Sequence, residues 1–266
     1  MTFRWDVFFN YLLPWTAFQN PLIRDGLITT IYIAVLAQLF GTAIGVVCAI
    51  GLQSRFTAIR VLIRIYMGYF RGTPLLVQLV LLYFGLSALG LYGFPDLVLG
   101  SIVISGVIQA GILGLALNEG AFMTEIVRAG ILGVDRGQSE AAAALGMSRL
   151  QIMRLVVLPQ AVRVILPPFG NNFVNQIKST PLIVIIGGTE LFNAYQQLNG
   201  QLFRPFELFL AVSFYYLALI GIWNLIQRRL ERRFALPTGT TVRRRWLAFD
   251  VRALRRGAQP IAQERV

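Results

Sequence analysis

The sequence contains no histidine, one cysteine and, among its 24 basic residues, a single lysine. Without histidine, imidazole acid–base catalysis and histidine metal ligation are excluded, and one cysteine excludes a disulfide within the chain. Cys48 falls inside an apolar run, so we expect it to pack as a small hydrophobic residue. No Gly-x-x-x-x-Gly-Lys-Ser/Thr phosphate-binding loop is present either. If the activity of this protein depends on ATP, another chain must bind the ATP.

Charged residues are also scarce, at 14% of 266 residues, whereas 56% of the residues are hydrophobic. This balance is typical of a polytopic membrane protein and unusual for a soluble domain. A membrane-spanning helix needs about 20 apolar residues. The sequence therefore predicts an all-α fold with about five transmembrane helices, the fourth irregular, over residues 27–50, 72–95, 97–118, 163–190 and 208–227.

The net charge of +12 would suit a nucleic-acid partner, but the distribution of the arginines argues against one. Four arginines lie within residues 55–71, five within residues 128–163 and eleven from Arg228 onward, while the segments on the opposite side carry only Arg4, Arg24 and Arg204. Positive charge collects on the cytoplasmic side of membrane proteins. We therefore predict that the N-terminus lies outside, and that the loop around Glu140 and the C-terminus lie inside, as an odd number of spans requires.

The two ends of the chain differ from its apolar middle. Residues 1–20 are aromatic and contain Asp6, which does not fit a signal peptide and favours a segment lying in the membrane interface. Residues 21–233 form the predicted transmembrane domain. Residues 234–266 form a basic cytoplasmic tail that we expect to lie near anionic lipid headgroups, with no specific function assigned.

Glycines mark the expected contacts between helices. Gly41 and Gly45, four residues apart in the first run, form a small-residue face that allows close helix packing. The third run is also rich in glycine, which favours contact with neighbouring helices rather than with lipid. These third-run residues are Gly100, Gly106, Gly111 and Gly114.

The loop between the third and fourth runs contains Glu140-Ala-Ala-Ala-Ala-Leu-Gly146. Ser139 is a suitable N-cap for a short helix with Glu140 in its first turn, and Gly146 can adopt the left-handed conformation that ends a helix. Ser148-Arg-Leu-Gln151 has the form of a capping box and can open a second helix. We predict two short helices around a glycine bend, a compact surface suited to docking on a partner. An interfacial loop without a partner is the alternative.

Polar residues share one face of the fourth run. Asn171, Asn175 and Lys178 are spaced i, i+4 and i+7, with Asn172 and Gln176 beside them. Polar groups at membrane depth face a cavity or each other. These residues are therefore predicted to line a substrate pathway or to contact a second subunit, and the sequence favours neither interpretation.

Prolines and two acidic residues complete this region. Pro167-Pro168 is expected to begin a helix rather than to lie undisturbed inside one, and Pro181 to break the helix. Broken helices at membrane depth are expected where a polar cavity is lined. Glu190 and Glu125 are further candidates for the pathway.

Together these motifs resemble the polar amino-acid permeases of ATP-binding-cassette (ABC) importers, the group that handles histidine, glutamate, glutamine, arginine and opines. The similarity covers about residues 26–233, with three departures: Phe122 for tyrosine, Val156 for isoleucine, and Lys178-Ser-Thr-Pro181 for Lys-Asp-Thr-Ser. The last departure removes a carboxylate and adds a helix breaker, so it bears on local geometry and substrate preference. The motifs that carry the similarity are Gly26-Leu-Ile-Thr-Thr30, Phe70-Arg-Gly-Thr-Pro-Leu-Leu-Val-Gln78, Asn118-Glu-Gly-Ala-Phe-Met-Thr-Glu125, Gly137-Gln-Ser-Glu-Ala-Ala142, Leu158-Pro-Gln-Ala161 and Leu230-Glu-Arg-Arg233.

The resemblance implies a transporter subunit in the bacterial cytoplasmic (inner) membrane, not an enzyme, with no cofactor or metal in this chain. Two permease subunits, identical or paralogous, would enclose the pathway, and an extracytoplasmic solute-binding protein would deliver the amino acid. Two ABC ATPase subunits, which bind ATP and magnesium, would dock on the loop. The resemblance assigns this ATPase contact to Glu140, Ala141, Ala142 and Gly146.

Two other functions remain as alternatives. The first is an ABC importer permease for a different small solute, because the Glu-Ala-Ala loop is shared across substrate classes. The second is an ATP-independent channel or secondary transporter, which would need no ATPase-docking loop. A membrane enzyme is disfavoured because no nucleophile–base pair stands out in the sequence.

Overall fold

The computed structural model describes residues 3–100 and 102–234, and these residues are almost entirely helical. The predicted basic tail lies outside them, apart from Phe234. In chain order the elements are α1 (Trp5–Leu12), α2 (Pro14–Ala17), α3 (Pro21–Gly51), α4 (Thr57–Gly72), α5 (Leu75–Val80), a π-helical turn (Leu81–Gly85), α6 (Leu86–Ala88), β1 (Leu97–Leu99), β2 (Ile102–Ile104), α7 (Gly106–Leu132), α8 (Arg136–Ala144), α9 (Arg149–Gln151), a second π-helical segment (Ile152–Val157), α10 (Leu158–Ser179), a 3₁₀ helix (Thr180–Ile186), α11 (Leu191–Leu202) and α12 (Pro205–Phe234).

Helix length and hydropathy give up to five membrane crossings within the described residues, which confirms the predicted polytopic helical fold. The fifth crossing counts a bent pair as one span: α4 and the segment that begins with α5, which meet at 112°. The other four are single long segments. They are Pro21–Gly51, Gly106–Leu132, Arg149–Ile186 and Pro205–Phe234.

The third crossing begins later than predicted. Instead of a helix from Leu97, the chain forms an antiparallel hairpin of β1 and β2, because valine and isoleucine favour strands and Gly100 turns with a φ of 63°. Helix α7 then starts at Gly106, whose backbone N–H donates to Asp96 Oδ1 at 2.8 Å. It continues through Glu119 and Glu125, beyond the predicted end at residue 118.

The two small residues of the first run allow close helix packing, as predicted, and the structure shows that the partner is α7, which runs parallel to α3. A Cβ added at Gly41 would lie 2.7 Å from Cβ of Glu119, and one at Gly45 would lie 2.4 Å from Cβ of Met123. Gly111 makes a similar close approach on another side of α7, where an added Cβ would lie 3.0 Å from Cγ2 of Ile183. By contrast, Gly100 faces open space at the hairpin.

The bend between α4 and α5 is held by an amide clamp. Gln78 Nε2 donates to the carbonyl oxygen of Phe70 at 2.9 Å and to that of Thr73 at 3.0 Å. Asn118 on α7 donates to the same Phe70 carbonyl at 3.0 Å and to Gln78 Oε1 at 2.9 Å. Since a break leaves backbone carbonyls without helical partners, these side chains satisfy them at membrane depth.

The α-helix of the fourth crossing ends near Pro181, where a break was predicted, but the chain continues as a 3₁₀ helix within the same segment. The expectation for the earlier prolines is wrong. Helix α10 begins at Leu158 and runs through Pro167 and Pro168, which lie inside it. Pro159 lies in the first turn of α10, which directly follows the π-helical segment Ile152–Val157, so it also lies within the continuous helical segment Arg149–Ile186. After Ser179 the chain tightens into a 3₁₀ helix that ends where Gly187 adopts a φ of 90°.

The start of the chain packs against α11 and α12. Phe8 of α1 belongs to the same buried cluster as Tyr195 of α11 and Tyr215 of α12. Tyr215 donates its hydroxyl to the carbonyl oxygen of Leu12 at 2.9 Å. The residues predicted as an interfacial segment are therefore anchored at the end of the bundle where α3 and α12 begin, opposite the end that carries α8 and α9.

Candidate functional site

The two helix breaks meet at one polar cavity of about 310 Å³. The bend between α4 and α5 forms one wall, α7 forms a second wall, and the last turns of α10 with its 3₁₀ extension form a third. Unwound backbone at membrane depth is tolerated where it lines such a cavity. The lining residues are Phe70, Arg71, Thr73, Leu75, Asn118, Glu119, Phe122, Asn172, Asn175, Gln176, Ser179 and Leu182.

Glu119 is the acidic group of this cavity, and sequence reasoning did not single it out. Its side chain is nearly buried, at 4% exposure. Glu119 Oε1 accepts hydrogen bonds from Gln38 Nε2 on α3 at 3.1 Å and from Asn172 Nδ2 on α10 at 3.2 Å. The available signal was a carboxylate within a glycine-rich apolar run, because such a group at membrane depth marks a functional site by default.

Arg71 is the basic group that lines the cavity, at the bend between α4 and α5. Its guanidinium lies 5.7 Å from the ring centre of Phe122 and 3.9 Å from Glu125 Oε2. Glu125 also accepts from Arg128 Nη2 at 2.6 Å. The predicted candidate Glu125 is thus held between two arginines, one and a half turns beyond Glu119 on α7, and is not among the lining residues.

The polar face predicted on α10 divides between two surfaces. Asn175 lines the polar cavity, whereas Asn171 is exposed and lies outside the lining set. Lys178 lines a separate groove of about 540 Å³ between the end of α10 and α12. Apolar and aromatic residues dominate that groove, which also includes Tyr216.

Glu190, the remaining candidate, is completely buried and serves as the N-cap of α11. Its carboxylate accepts from the Tyr216 hydroxyl at 2.7 Å, from Thr30 Oγ1 at 3.0 Å and from the backbone N–H of Asn193 at 2.9 Å. Thr30 in turn accepts from the backbone N–H of Leu191 at 3.1 Å. These contacts join α3, α11 and α12 away from the polar cavity.

The loop around Glu140 folds as two short helices, with one correction at its start. Helix α8 begins a turn earlier than predicted, because Asp135 rather than Ser139 is the N-cap and accepts from the Gly137 N–H at 2.6 Å. Glu140 is consequently in the middle of α8, where its side chain is exposed. Ala141 is exposed beside it and Ala142 is buried.

The glycine bend and the capping box both form as predicted. Gly146 has a φ of 79°, and hydrogen bonds from Gly146 N to Ala143 O and from Met147 N to Ala142 O close a Schellman motif. Ser148 and Gln151 make the two reciprocal bonds of the capping box. The loop also leaves two leucines in the open, Leu145 at 83% exposure and Leu150 at 65%.

Comparison with known proteins places this architecture in a family. The model of the binding-protein-dependent transport system inner membrane component matches residues 41–236. The arginine transport system permease protein ArgU of Corynebacterium glutamicum is 35% identical, over 92% of this chain and 76% of its own length. The glutamine transport system permease protein GlnP of Escherichia coli K12 is 33% identical, over 86% of this chain and 99% of its own.

A solved structure extends the similarity to three dimensions. The crystal structure of an amino acid ABC transporter with histidines superposes with a TM-score of 0.74 at 33% identity, over 88% of this chain and all of that chain. The chain therefore belongs to the family of binding-protein-dependent transport system inner membrane components, as a multi-pass permease subunit of the inner membrane rather than an enzyme.

Proposed function

We propose that this chain is the permease subunit of an ATP-driven importer for polar amino acids. The observation that carries the proposal is the polar cavity between the two broken crossings, where carboxylate, guanidinium and amide groups converge. Its volume of about 310 Å³ is at the small end of the range of ligand sites, which suits a single amino acid. Relatives named for arginine and glutamine transport support the same solute class.

Energy would enter through α8 and α9, and ATP with magnesium would be bound by separate ABC ATPase subunits. We propose that the segment of Glu140, Ala141, Ala142 and Gly146 forms the ATPase contact at the cytoplasmic end of the bundle, with the buried Ala142 packing beneath the exposed residues. The exposed Leu145 supports this role, because a large apolar side chain on a compact helical surface favours a protein partner. Closure of the ATPases would move this surface and open the cavity to alternate sides of the membrane.

The remaining partners follow from the same proposal. A second permease subunit, identical or paralogous, would complete the pathway beside α10, and an extracytoplasmic solute-binding protein would dock at the end that carries α11. Asn175 would face the solute, while Asn171 and Lys178 would contact the second subunit or the continuation of the pathway. Glu125 would hold Arg71 at the cavity edge, and Glu190 would fix α11 to the bundle. Membrane lipid would surround the outer faces.

Uptake measurements test the proposal directly. We expect cells that lack this chain to lose uptake of one labelled polar amino acid from a panel that includes an opine, and the Glu140→Ala variant to lose it as well. Gln53→Ala, an exposed polar residue just after α3 and outside α8 and α9, is the control and should retain uptake. Unchanged uptake across the panel would contradict the amino-acid assignment and favour another solute class. Loss on deletion with normal uptake by Glu140→Ala would instead favour an ATP-independent transporter.

A further inference from the structure

We infer that Glu119 makes this permease select amino acids with a cationic side chain, an inference that rests on the proposed transport of polar amino acids through the Glu119 cavity. Family membership leaves the charge of the solute open, since the relatives include permeases named for arginine and for glutamine. Any selection that the permease itself makes must come from groups that line the cavity. The distribution of charge around Glu119 indicates what they select.

The carboxylate of Glu119 has only neutral partners. Gln38 and Asn172 both donate to Oε1, and no hydrogen bond to Oε2 is made by any described residue. No arginine or lysine of the described chain forms an ion pair with Glu119. Buried carboxylates in proteins are normally paired with a cation, so this one lacks its usual counter-charge.

The cation in the same cavity is already engaged. Arg71 lines the cavity, but its guanidinium pairs with Glu125 and lies over the ring of Phe122. Glu125 is further neutralised by Arg128. The acidic group of the cavity that has no cation beside it is therefore Glu119, and a ligand with a guanidinium or ammonium side chain would supply that cation and favour the ionised carboxylate. A neutral solute would supply no cation, and an acidic solute would be repelled by the ionised carboxylate.

A second buried group of the cavity, the Gln176 amide, is suited to bind the α-carboxylate of the same amino acid. Gln176 lines the cavity at 5% exposure, and its Nε2 has no hydrogen-bond partner within the described residues. A buried amide donor without an acceptor is destabilising unless a ligand or water accepts from it. The α-carboxylate of an amino acid would accept from Gln176 while its side-chain cation meets Glu119. Both ends of a cationic amino acid would thus find complementary groups in the cavity.

The first test compares arginine with citrulline, its neutral isostere, on the purified permease–ATPase complex in the absence of the solute-binding protein. Omitting that protein removes its own selectivity, so equilibrium binding reports on the permease alone. We expect arginine to bind at least about tenfold more tightly than citrulline, as a charge-assisted contact requires. Equal binding of the two, or preferential binding of glutamate, would overturn the inference even if the amino acids are transported.

Variants of Glu119 supply the second test. We expect Glu119→Gln to bring arginine and citrulline to similar affinities, and Glu119→Asp to keep the preference for arginine at lower affinity. Asp25→Asn, the same chemical change at an exposed ion pair, should leave the preference unaltered. A preference for arginine that survives Glu119→Gln would refute the role of Glu119. If Glu119→Gln fails to assemble with the ATPase, the comparison of arginine with citrulline on the wild-type complex still decides whether the permease selects a cationic side chain.

Failure of the inference can be told apart from failure of the proposed function. If the wild-type complex transports glutamine or asparagine as well as arginine, the importer assignment holds and the selection by charge is wrong. If it binds and transports none of the amino acids, both are wrong.

Discussion

Gly41 on α3 faces Glu119 on α7 so closely that an added Cβ would lie 2.7 Å from Cβ and 2.8 Å from Cγ of the glutamate. The same face of α3 carries Gln38, whose amide donates to the Glu119 carboxylate. One small residue and one amide, three positions apart on a single helix, therefore hold the acidic group of the cavity. Close packing of the helices and the geometry of the candidate site are consequently linked.

Gly41→Ala tests that link. The added methyl group overlaps the Glu119 side chain, so we expect a loss of about 1–3 kcal/mol in stability, typical of overpacking. We also expect weaker arginine binding, because Glu119 must move. Both quantities can be measured on the purified complex by thermal unfolding and equilibrium binding. Gly221→Ala is the control, since nothing lies within 4 Å of an added Cβ there. Unaltered unfolding and binding in Gly41→Ala would show that α3 and α7 are less closely packed.

The close approach at Gly41 and Gly45 and the two-helix form of the loop around Glu140 could be predicted from the sequence because local spacing determines them. Gly41 and Gly45 share a face at i and i+4, and Ser148 and Gln151 cap at i and i+3. Glu119 was missed because its partners are distant in sequence. Gln38 lies 81 residues away and Asn172 lies 53 residues away, so no local pattern indicates that the three meet.

The first residues of α7 and α8 could not be predicted from the sequence either. Several residues near each start can cap a helix, and the choice depends on contacts formed after folding. Asp96 accepts from the Gly106 N–H ten residues later, across the hairpin. Asp135 outcompetes Ser139 as the cap of α8, since an earlier start adds a full turn to the helix. Hydropathy alone does not distinguish these alternatives.

Gly146→Ala should impair energy coupling. An alanine in the left-handed conformation at Gly146 costs roughly 1–2 kcal/mol, although nothing within 4 Å obstructs its Cβ. We expect the bend between α8 and α9 to relax and the amount of amino acid transported per ATP hydrolysed to fall. Gly146→Asn should restore much of the coupling, because asparagine tolerates this conformation. Gly221→Ala in α12, with open space around the added Cβ and no positive φ, should have no effect. Equal coupling in the alanine and asparagine variants would contradict a role for the bend.

The amide clamp at the bend between α4 and α5 should be cooperative. Replacing Gln78 with leucine leaves the carbonyl oxygens of Phe70 and Thr73 without that donor, a loss of about 1–3 kcal/mol. Asn118→Leu removes the second donor to Phe70 and the bond to Gln78. We expect the double variant to be less destabilised than the sum of the single variants, because the two amides share one hydrogen bond and one acceptor. Thermal unfolding of the four proteins measures this coupling, and simple additivity would exclude the clamp.

Replacement of Glu190 should separate a structural carboxylate from a solute-binding one. Glu190→Ala leaves the hydroxyls of Thr30 and Tyr216 and the N–H of Asn193 without their acceptor, at a cost of about 1–3 kcal/mol for each. We therefore expect this variant to accumulate poorly in the membrane, and Glu190→Gln to accumulate better because its amide oxygen can still cap α11.

The selectivity of the Glu190→Gln protein decides between the two roles. Glu190 lies outside the cavity that contains Glu119, so the ratio of arginine to citrulline affinity should equal that of the wild type. A change in that ratio would place Glu190 on the solute pathway, whereas Glu119→Gln should abolish the preference for arginine in the same assay. The two buried carboxylates would then differ in function for a structural reason. Both oxygens of Glu190 accept hydrogen bonds within the protein, whereas Glu119 faces the cavity and only its Oε1 has donors.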